Sequence, residues 1–266
     1  MEPIRVRIHP GERGPVVVLH GGPGAPGSAA GLATALAPEH EVWEPFQRRS
    51  GEGELTVDRH IADLREVAPD AVTIVGHSWG AMLALSYAAS HPAAVRSLVL
   101  VGCGTYDERS RAEYERRFET RLDDWMRARR DELCHAMECA RDDGERDRVL
   151  ALRGELAAEV QGVDLLPERE PAPTPDADGH EQTWRNVLRR QASGLEPQSF
   201  AAIDAPVLMV YGDADPHPGD MIRDTLLPHV PQLEYVELGR CGHEPWRERH
   251  AREPLLEVLQ AWLAGT

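Results

Sequence analysis

Residues 71–90 read AVTIVGHSWGAMLALSYAAS, from Ala71 to Ser90. An apolar, β-branched run, Ala71–Val75, passes directly into Gly76-His77-Ser78-Trp79-Gly80, and a stretch that is small and apolar on nearly all sides, Gly80–Ser90, follows. The first run reads as a buried strand and the last as a buried helix. The residues between them fit G-x-S-x-G. A strand–turn–helix frame is the setting in which that motif lifts a serine hydroxyl off a strand end. The turn is tight, and its flanking glycines avoid a Cβ clash. The helix N-terminus behind Ser78 favours developing negative charge. Ser78 is therefore the candidate nucleophile, and His77 beside it is expected to pack the turn and to line a pocket.

Working outward, further short apolar runs occur at Pro15–His20, Glu41–Phe46, Val95–Val101, Pro206–Tyr211 and Leu233–Leu238. Helical patterns separate them, among them Thr56–Ala68, with apolar residues near a 3.6 period, and Arg249–Leu263. Strands alternating with helices predict an α/β fold with a doubly wound, mostly parallel sheet. Residues 105–200 break the rhythm with no convincing strand. Between Asp107 and Glu170 there are 19 acidic residues and 13 arginines, so half of the stretch is charged. Tyr114, Phe118, Leu122, Trp125 and Met126 nevertheless form a stripe at helical spacing. Pro167–Gly179 reads as a proline-rich linker, and a helix bearing Trp184, Val187 and Leu188 follows it. The expectation is a core of 1–104 and 201–266 carrying a helical cap or lid, 105–200, whose Trp125 and Trp184 face a substrate pocket.

Composition removes several chemistries. All 29 basic residues among the 266 are arginine. Without lysine, no Schiff base forms and no Walker-type phosphate loop is complete. A net charge of -16 argues against nucleic acid or an anionic membrane as the main partner. No apolar run approaches the roughly 20 residues that span a bilayer. The start, MEPIRVRIHPGERG, has no apolar signal core, so a cytoplasmic location is expected. Cys103, Cys134, Cys139 and Cys241 are too few for a disulfide scaffold and lack zinc-ligand spacing. No H-E-x-x-H occurs, and His243, Glu244 and His250 make a poor metal set. No cofactor is expected. The partner expected is a small-molecule or short-peptide substrate, and nothing in the sequence specifies an oligomeric state.

A serine hydroxyl needs a base, and in this strand order the acid precedes the histidine. His243, in the loop after the last strand pattern, is the candidate base. Asp215, in Gly212-Asp213-Ala214-Asp215 after PVLMVY, is the candidate acid. Asp213 is expected to shape the turn, and Asp107 is the remote alternative. His217 lies too close to Asp215 in sequence to read as its partner, and is expected to be a loop histidine lining the pocket. Two backbone donors are needed for an oxyanion. The N–H of Trp79 is one candidate. Gly22 in His20-Gly21-Gly22-Pro23-Gly24 is the other, with Gly21 next. Cys103 and Cys241 read as small buried hydrophobes.

HGGPG, GHSWG and the late GDAD and CGH segments together resemble the α/β-hydrolase superfamily, and they span most of the chain outside the insertion. HGGPG with a tryptophan after the serine looks most like the proline iminopeptidase branch. That resemblance implies hydrolysis through a Ser-Asp-His triad, a helical cap, and cap glutamates holding a substrate amine. The sequence departs from the branch at His77, where a second glycine is usual. It also lacks the aspartate of an Asp-x-Arg-Gly segment, reading Glu44-Pro-Phe-Gln-Arg-Arg-Ser-Gly instead. An ester, a lactone, a peptide amide and a carbon–carbon bond all remain open as the target, as does ligand binding without turnover.

Overall fold

A computed structural model describes residues 3–51, 53–167 and 173–266. The elements run β1 (Val6–His9), β2 (Arg13–Leu19), α1 (Ala30–Leu36), β3 (His40–Pro45), α2 (Val57–Val67), β4 (Val72–His77), α3 (Trp79–Ser90) and β5 (Val95–Val101). Four helices follow: α4 (Glu108–Arg121), α5 (Asp124–Cys139), α6 (Asp143–Gln161) and α7 (Ala177–Ala192). The chain closes with β6 (Val207–Gly212), α8 (Gly219–Leu226), β7 (Leu233–Leu238) and α9 (Arg252–Gly265).

One seven-stranded sheet has the order β1-β3-β2-β4-β5-β6-β7. It is parallel throughout except for β1, which pairs antiparallel with β3. Alternation along each strand assigns its side chains to two cores. Val17, Leu19, Ile74, Leu98, Leu100, Val207 and Met209 face α2, α3 and α8. Val16, Val18, Val75, Val99, Val101, Leu208 and Val210 face α1 and α9. Helices on both faces leave the central strands no wet side, which is why they read as unbroken apolar runs.

Among the described residues, the insertion between β5 and β6 is built of helices joined by turns and irregular chain, with an isolated bridge between Leu165 and Glu248. Each of its helices begins on an aspartate whose side chain accepts a backbone N–H: Asp107 from Ser110, Asp123 from Met126, Asp142 from Glu145 and Asp176 from Gly179. These caps fix the helix starts. Asp123 also divides the predicted stripe, because α4 stops before Leu122 and α5 starts afresh. Leu122, Leu133, Leu156 and Val160 form a small apolar cluster inside the insertion, with Phe118 and Met126 against it.

Of the proline-rich stretch, residues 168–172 lie outside the described residues. The part that is described is tied down rather than a free linker. Arg49 donates to the carbonyls of Thr174 and Pro175, and Asp176 is held by the backbone N–H and hydroxyl of Ser50. Among the described residues no helix is long and apolar enough to cross a membrane.

Candidate active site

The carboxyl ends of the parallel strands bring the singled-out loops to one edge. There, β4 ends at His77 and α3 starts at Trp79, which leaves Ser78 alone to make the turn. Its φ of 52° and ψ of −116° are a conformation that L side chains rarely adopt, a strain of about 1–3 kcal/mol that persists only where the surroundings over-determine it. They do so here. The Ser78 N–H donates to the Val101 carbonyl at 2.9 Å. A Cβ on Gly76 would meet the Gly80 carbonyl oxygen at 2.3 Å, and one on Gly80 would meet the Leu19 carbonyl oxygen at 2.4 Å. The hydroxyl does not cap α3. The Trp79 N–H is the first of that helix, a group the helix itself cannot satisfy.

The loop after β2 abuts this turn. A Cβ on Gly21 would lie 3.2 Å from the Ser78 Cβ. Gly22 has a φ of 54° and accepts from Ala25 N at 3.0 Å. Gly24 serves a purpose the sequence does not reveal: it is where the insertion docks. Its carbonyl accepts from Asp176 N at 2.7 Å, the Pro23 carbonyl accepts from the His180 imidazole at 2.9 Å, and a Cβ on Gly24 would sit 2.3 Å from the Asp176 carbonyl oxygen.

After β6, Asp213 accepts from Cys241 N and shapes the turn. Asp215 is buried, with no exposed side-chain surface. Its Oδ2 accepts from His243 Nδ1 at 2.7 Å. Its Oδ1 accepts from both the backbone N–H and Nδ1 of His217, each at 2.9 Å. A carboxylate only accepts, so both imidazoles carry their proton on Nδ1, and each neutral ring keeps its Nε2 lone pair. The histidine thought too close in sequence is thus a second partner of the same acid. A two-residue turn folds its ring back over the carboxylate.

The three imidazoles are packed together. The His217 and His243 rings stack at 4.4 Å between centroids, and Tyr114 of α4 stacks on the other face of His217 at 4.2 Å. His77 is buried rather than lining an open pocket. Its ring packs against His243 and Trp246, and its Nε2–H donates to the His243 carbonyl at 3.1 Å. A Cβ on Gly102, the residue after β5, would come 2.9 Å from His243 Nδ1. Because Val101 holds Ser78 and Gly102 touches His243, the serine and the histidine share one neighbourhood. Among the described residues no hydrogen bond joins the Ser78 hydroxyl to His243. Such contacts are commonly long without substrate.

Charge follows from this packing. Burial acts to raise the Asp215 carboxyl, but the two imidazoles outweigh it and hold its pKa below the usual carboxylate range. Burial acts to lower His243, yet the Asp215 charge wins and its pKa is raised. His217 is lowered by burial, and His77 falls well below the ordinary value through burial and the neighbouring His243. Asp215, His217 and His243 place ligand-type atoms within 4.8 Å of one another. In this structure those atoms face each other as donors and acceptors in a hydrogen-bonded cluster.

The other expected residues fall elsewhere. Trp125 is 62% exposed on α5. Trp184 is half-buried against the core beneath α7. Asp107 is spent on Ser110 and on the Thr225 hydroxyl. Cys103 and Cys241 are buried, and burial pushes the Cys103 thiol up to about 12. Two residues that sequence reading missed complete the site. The Gln161 carbonyl accepts from His243 N at 3.1 Å. The buried Glu248 carboxylate accepts from Val163 N, Asp164 N and Gly242 N at 2.9, 2.8 and 3.0 Å, and so ties the end of α6 to the His243 loop.

Known proteins resemble this chain in sequence and in fold. A proline iminopeptidase of Heyndrickxia coagulans is 33% identical over 96 residues, covering 32% of this chain and 33% of that one. A cis-3-alkyl-4-alkyloxetan-2-one decarboxylase of Shewanella oneidensis is 28% identical over 112 residues, 37% of this chain and 35% of that one. The chain thus matches about a third of the length of these curated relatives. A thermophilic esterase of Thermogutta terrifontis superposes over 98% of this chain and 94% of its own with a TM-score of 0.62 at 17% identity, a likeness of fold. Residues 14–245 match the family described by the alpha/beta hydrolase fold, and the chain belongs to that family.

Proposed function

We propose that this protein is a cofactor-free serine hydrolase with Ser78 as nucleophile, His243 as base and Asp215 as acid. The observation that carries the reading is the 2.7 Å bond from His243 Nδ1 to a buried Asp215, on the loops flanking a strained serine turn. With Nδ1 committed, Nε2 takes the Ser78 proton as Oγ bonds to the substrate carbonyl carbon. The N–H groups of Gly22 and Trp79 hold the oxyanion. The imidazolium then protonates the leaving group. Water, deprotonated by the same Nε2, releases the acyl group and restores Ser78. Residues 105–200 act as a cap over a core of 1–104 and 201–266.

A small ester or lactone suits the site better than a peptide with a free N-terminal amine. An ammonium group needs an uncommitted carboxylate in the cap. The buried acids among the cap's described residues are Asp176, bound to Ser50 and Gly179, and Glu196, bound to Arg190 and Ser86. Glu113 is paired with Arg116 and Arg117. The oxetanone named for one relative is itself a strained lactone, which fits this preference.

A fluorophosphonate probe tests the chemistry. Ser78 Oγ bonds to phosphorus, fluoride leaves, and His243 takes the proton. Wild type should label and Ser78→Ala should not; equal labelling of both would refute the assignment. Short-chain aryl esters should be cleaved far faster than a prolyl arylamide. A strong preference for the prolyl compound would return the reading to an aminopeptidase.

A further inference from the structure

We infer that His217 is a positioning residue for the general base, and that through it the insertion sets the base's orientation. This rests on the serine-hydrolase reading above. The geometry is a closed ring of contacts. His243 donates to Asp215 Oδ2, and Asp215 Oδ1 accepts from His217. His217 stacks on Tyr114, Tyr114 Oη accepts from Gln161 Nε2 at 3.2 Å, and the Gln161 carbonyl accepts from His243 N. Tyr114 and Gln161 belong to the insertion, on α4 and at the end of α6, while the other three belong to the sheet edge. The ring closes only when both helices are docked.

His217 has two tasks in it. Its two donors occupy Oδ1, so the carboxylate cannot rotate to offer that oxygen to His243. Its ring fills the space between Tyr114 and His243, so the base cannot tilt off its bond. Each task can be removed alone. In His217→Asn the side-chain nitrogen stands where Nδ1 stood and donates to Oδ1, but the stack is gone. In His217→Phe the stack remains and the Nδ1 donor is gone.

The sign of the effect on pH dependence follows from charge. The groups facing His243 are Asp215 and His217 from the loop after β6, His77 from β4, and Glu244 beside it in its own loop. Tyr114 and Arg121 approach Asp215 and His217 from α4, with Arg121 donating to the Ala214 carbonyl, and Glu248 lies beyond Gly242. A donor on Oδ1 disperses the Asp215 charge. Without it the carboxylate holds the His243 proton more tightly, and the acid limb of activity moves to higher pH.

The experiment measures the rate constant for fluorophosphonate labelling of Ser78 against pH, with melting temperature alongside, and needs no natural substrate. His217→Phe should label on the order of ten-fold more slowly at neutral pH with its acid limb displaced upward. His217→Asn should keep the wild-type limb and recover part of the rate. Tyr114→Leu should slow labelling in wild type and change little in His217→Asn, where the stack is already lost. A His217→Phe profile that superposes on wild type overturns the inference while leaving the hydrolase reading intact. So does an equal loss in both His217 variants that tracks melting temperature. Absence of labelling in wild type overturns the hydrolase reading itself and this inference with it.

Discussion

Glu248→Gln isolates what one buried carboxylate does for the joint between insertion and core. Oε1 accepts from Val163 N and Gly242 N, and Oε2 accepts from Asp164 N. A glutamine has one acceptor oxygen. In its better orientation it keeps the first two bonds and points an NH₂ group at the Asp164 N–H. One lost bond costs about 1–3 kcal/mol, and two charge-assisted bonds become neutral ones, each weaker by about 1 kcal/mol. Relief of a buried charge offsets part of this. Asp164 is only half-buried, so water can reach its N–H. The net loss is therefore set at about 2 kcal/mol, near the low end. For a chain of this size that lowers Tm by about 4–8 °C. Thermal and urea denaturation measure the loss. Hydrogen exchange should speed up beyond the global effect most at Asp164, whose amide loses its acceptor, and less at Val163 and Gly242, whose bonds persist but weaken. A Tm within about 1 °C of wild type, with unchanged exchange at the three amides, would refute the argument that the carboxylate holds this joint.

Other outcomes follow from the same coordinates. Asp215→Asn offers an NH₂ group to one of two Nδ1–H donors, so His243 is driven toward the tautomer that cannot accept the Ser78 proton; kcat for an aryl ester should fall about 10⁴-fold with the fold retained by circular dichroism. Gly80→Ala forces a Cβ within 2.4 Å of the Leu19 carbonyl oxygen and 2.7 Å of the His20 carbonyl oxygen, backbone atoms that cannot turn aside, and should cost about 3 kcal/mol in denaturant titration. His60 is lowered from 6.5 to about 4, chiefly by burial. The unfolded chain binds that proton first, so stability is full above pH 6.5 and declines as pH falls to about 4. At 1.36 kcal/mol per unit the loss is about 3 kcal/mol. His60→Gln should flatten that part of the stability–pH curve, and an unchanged slope would show that other groups carry it.

The sheet and the loops at its edge were legible because each has a local signature. Alternation or a continuous apolar run marks a strand, and Gly76 and Gly80 frame Ser78 because backbone oxygens stand within 3 Å of where their side chains would be. The contacts between loops were not legible. Pro216-His217-Pro218 reads as a plain loop, although Asp215 accepting from the backbone N–H two residues on is a local turn habit of aspartate, and it is this turn that brings the ring back to the carboxylate. Glu248 sits among charged residues of the same appearance, and its role exists only once Val163 and Gly242 converge on it. Within the stripe from Tyr114 to Met126, Phe118, Leu122 and Met126 pack as the period implies, and Trp125 alone departs from it. The period is real, but Asp123 caps a new helix there, which turns Trp125 outward while Leu122 and Met126 stay inward. An Asp three residues before a backbone N–H it can accept was the available clue, and it recurs at the start of all four insertion helices.

Two of the insertion's attachments reach the loops of the candidate site. On one flank Asp176 and His180 hold the glycine-rich loop after β2; on the other Gln161 and Glu248 hold the loop that carries His243. A span held at these points, and along α7 by Leu55, Val57 and His60, does not swing like a door. It bows or releases one support at a time, and two of those supports rest on the loops that carry Gly22 and His243. Under this reading, admitting a bulky substrate and disarming the base are one mechanical event. The substrates turned over fastest would be those small enough to enter without unseating either end.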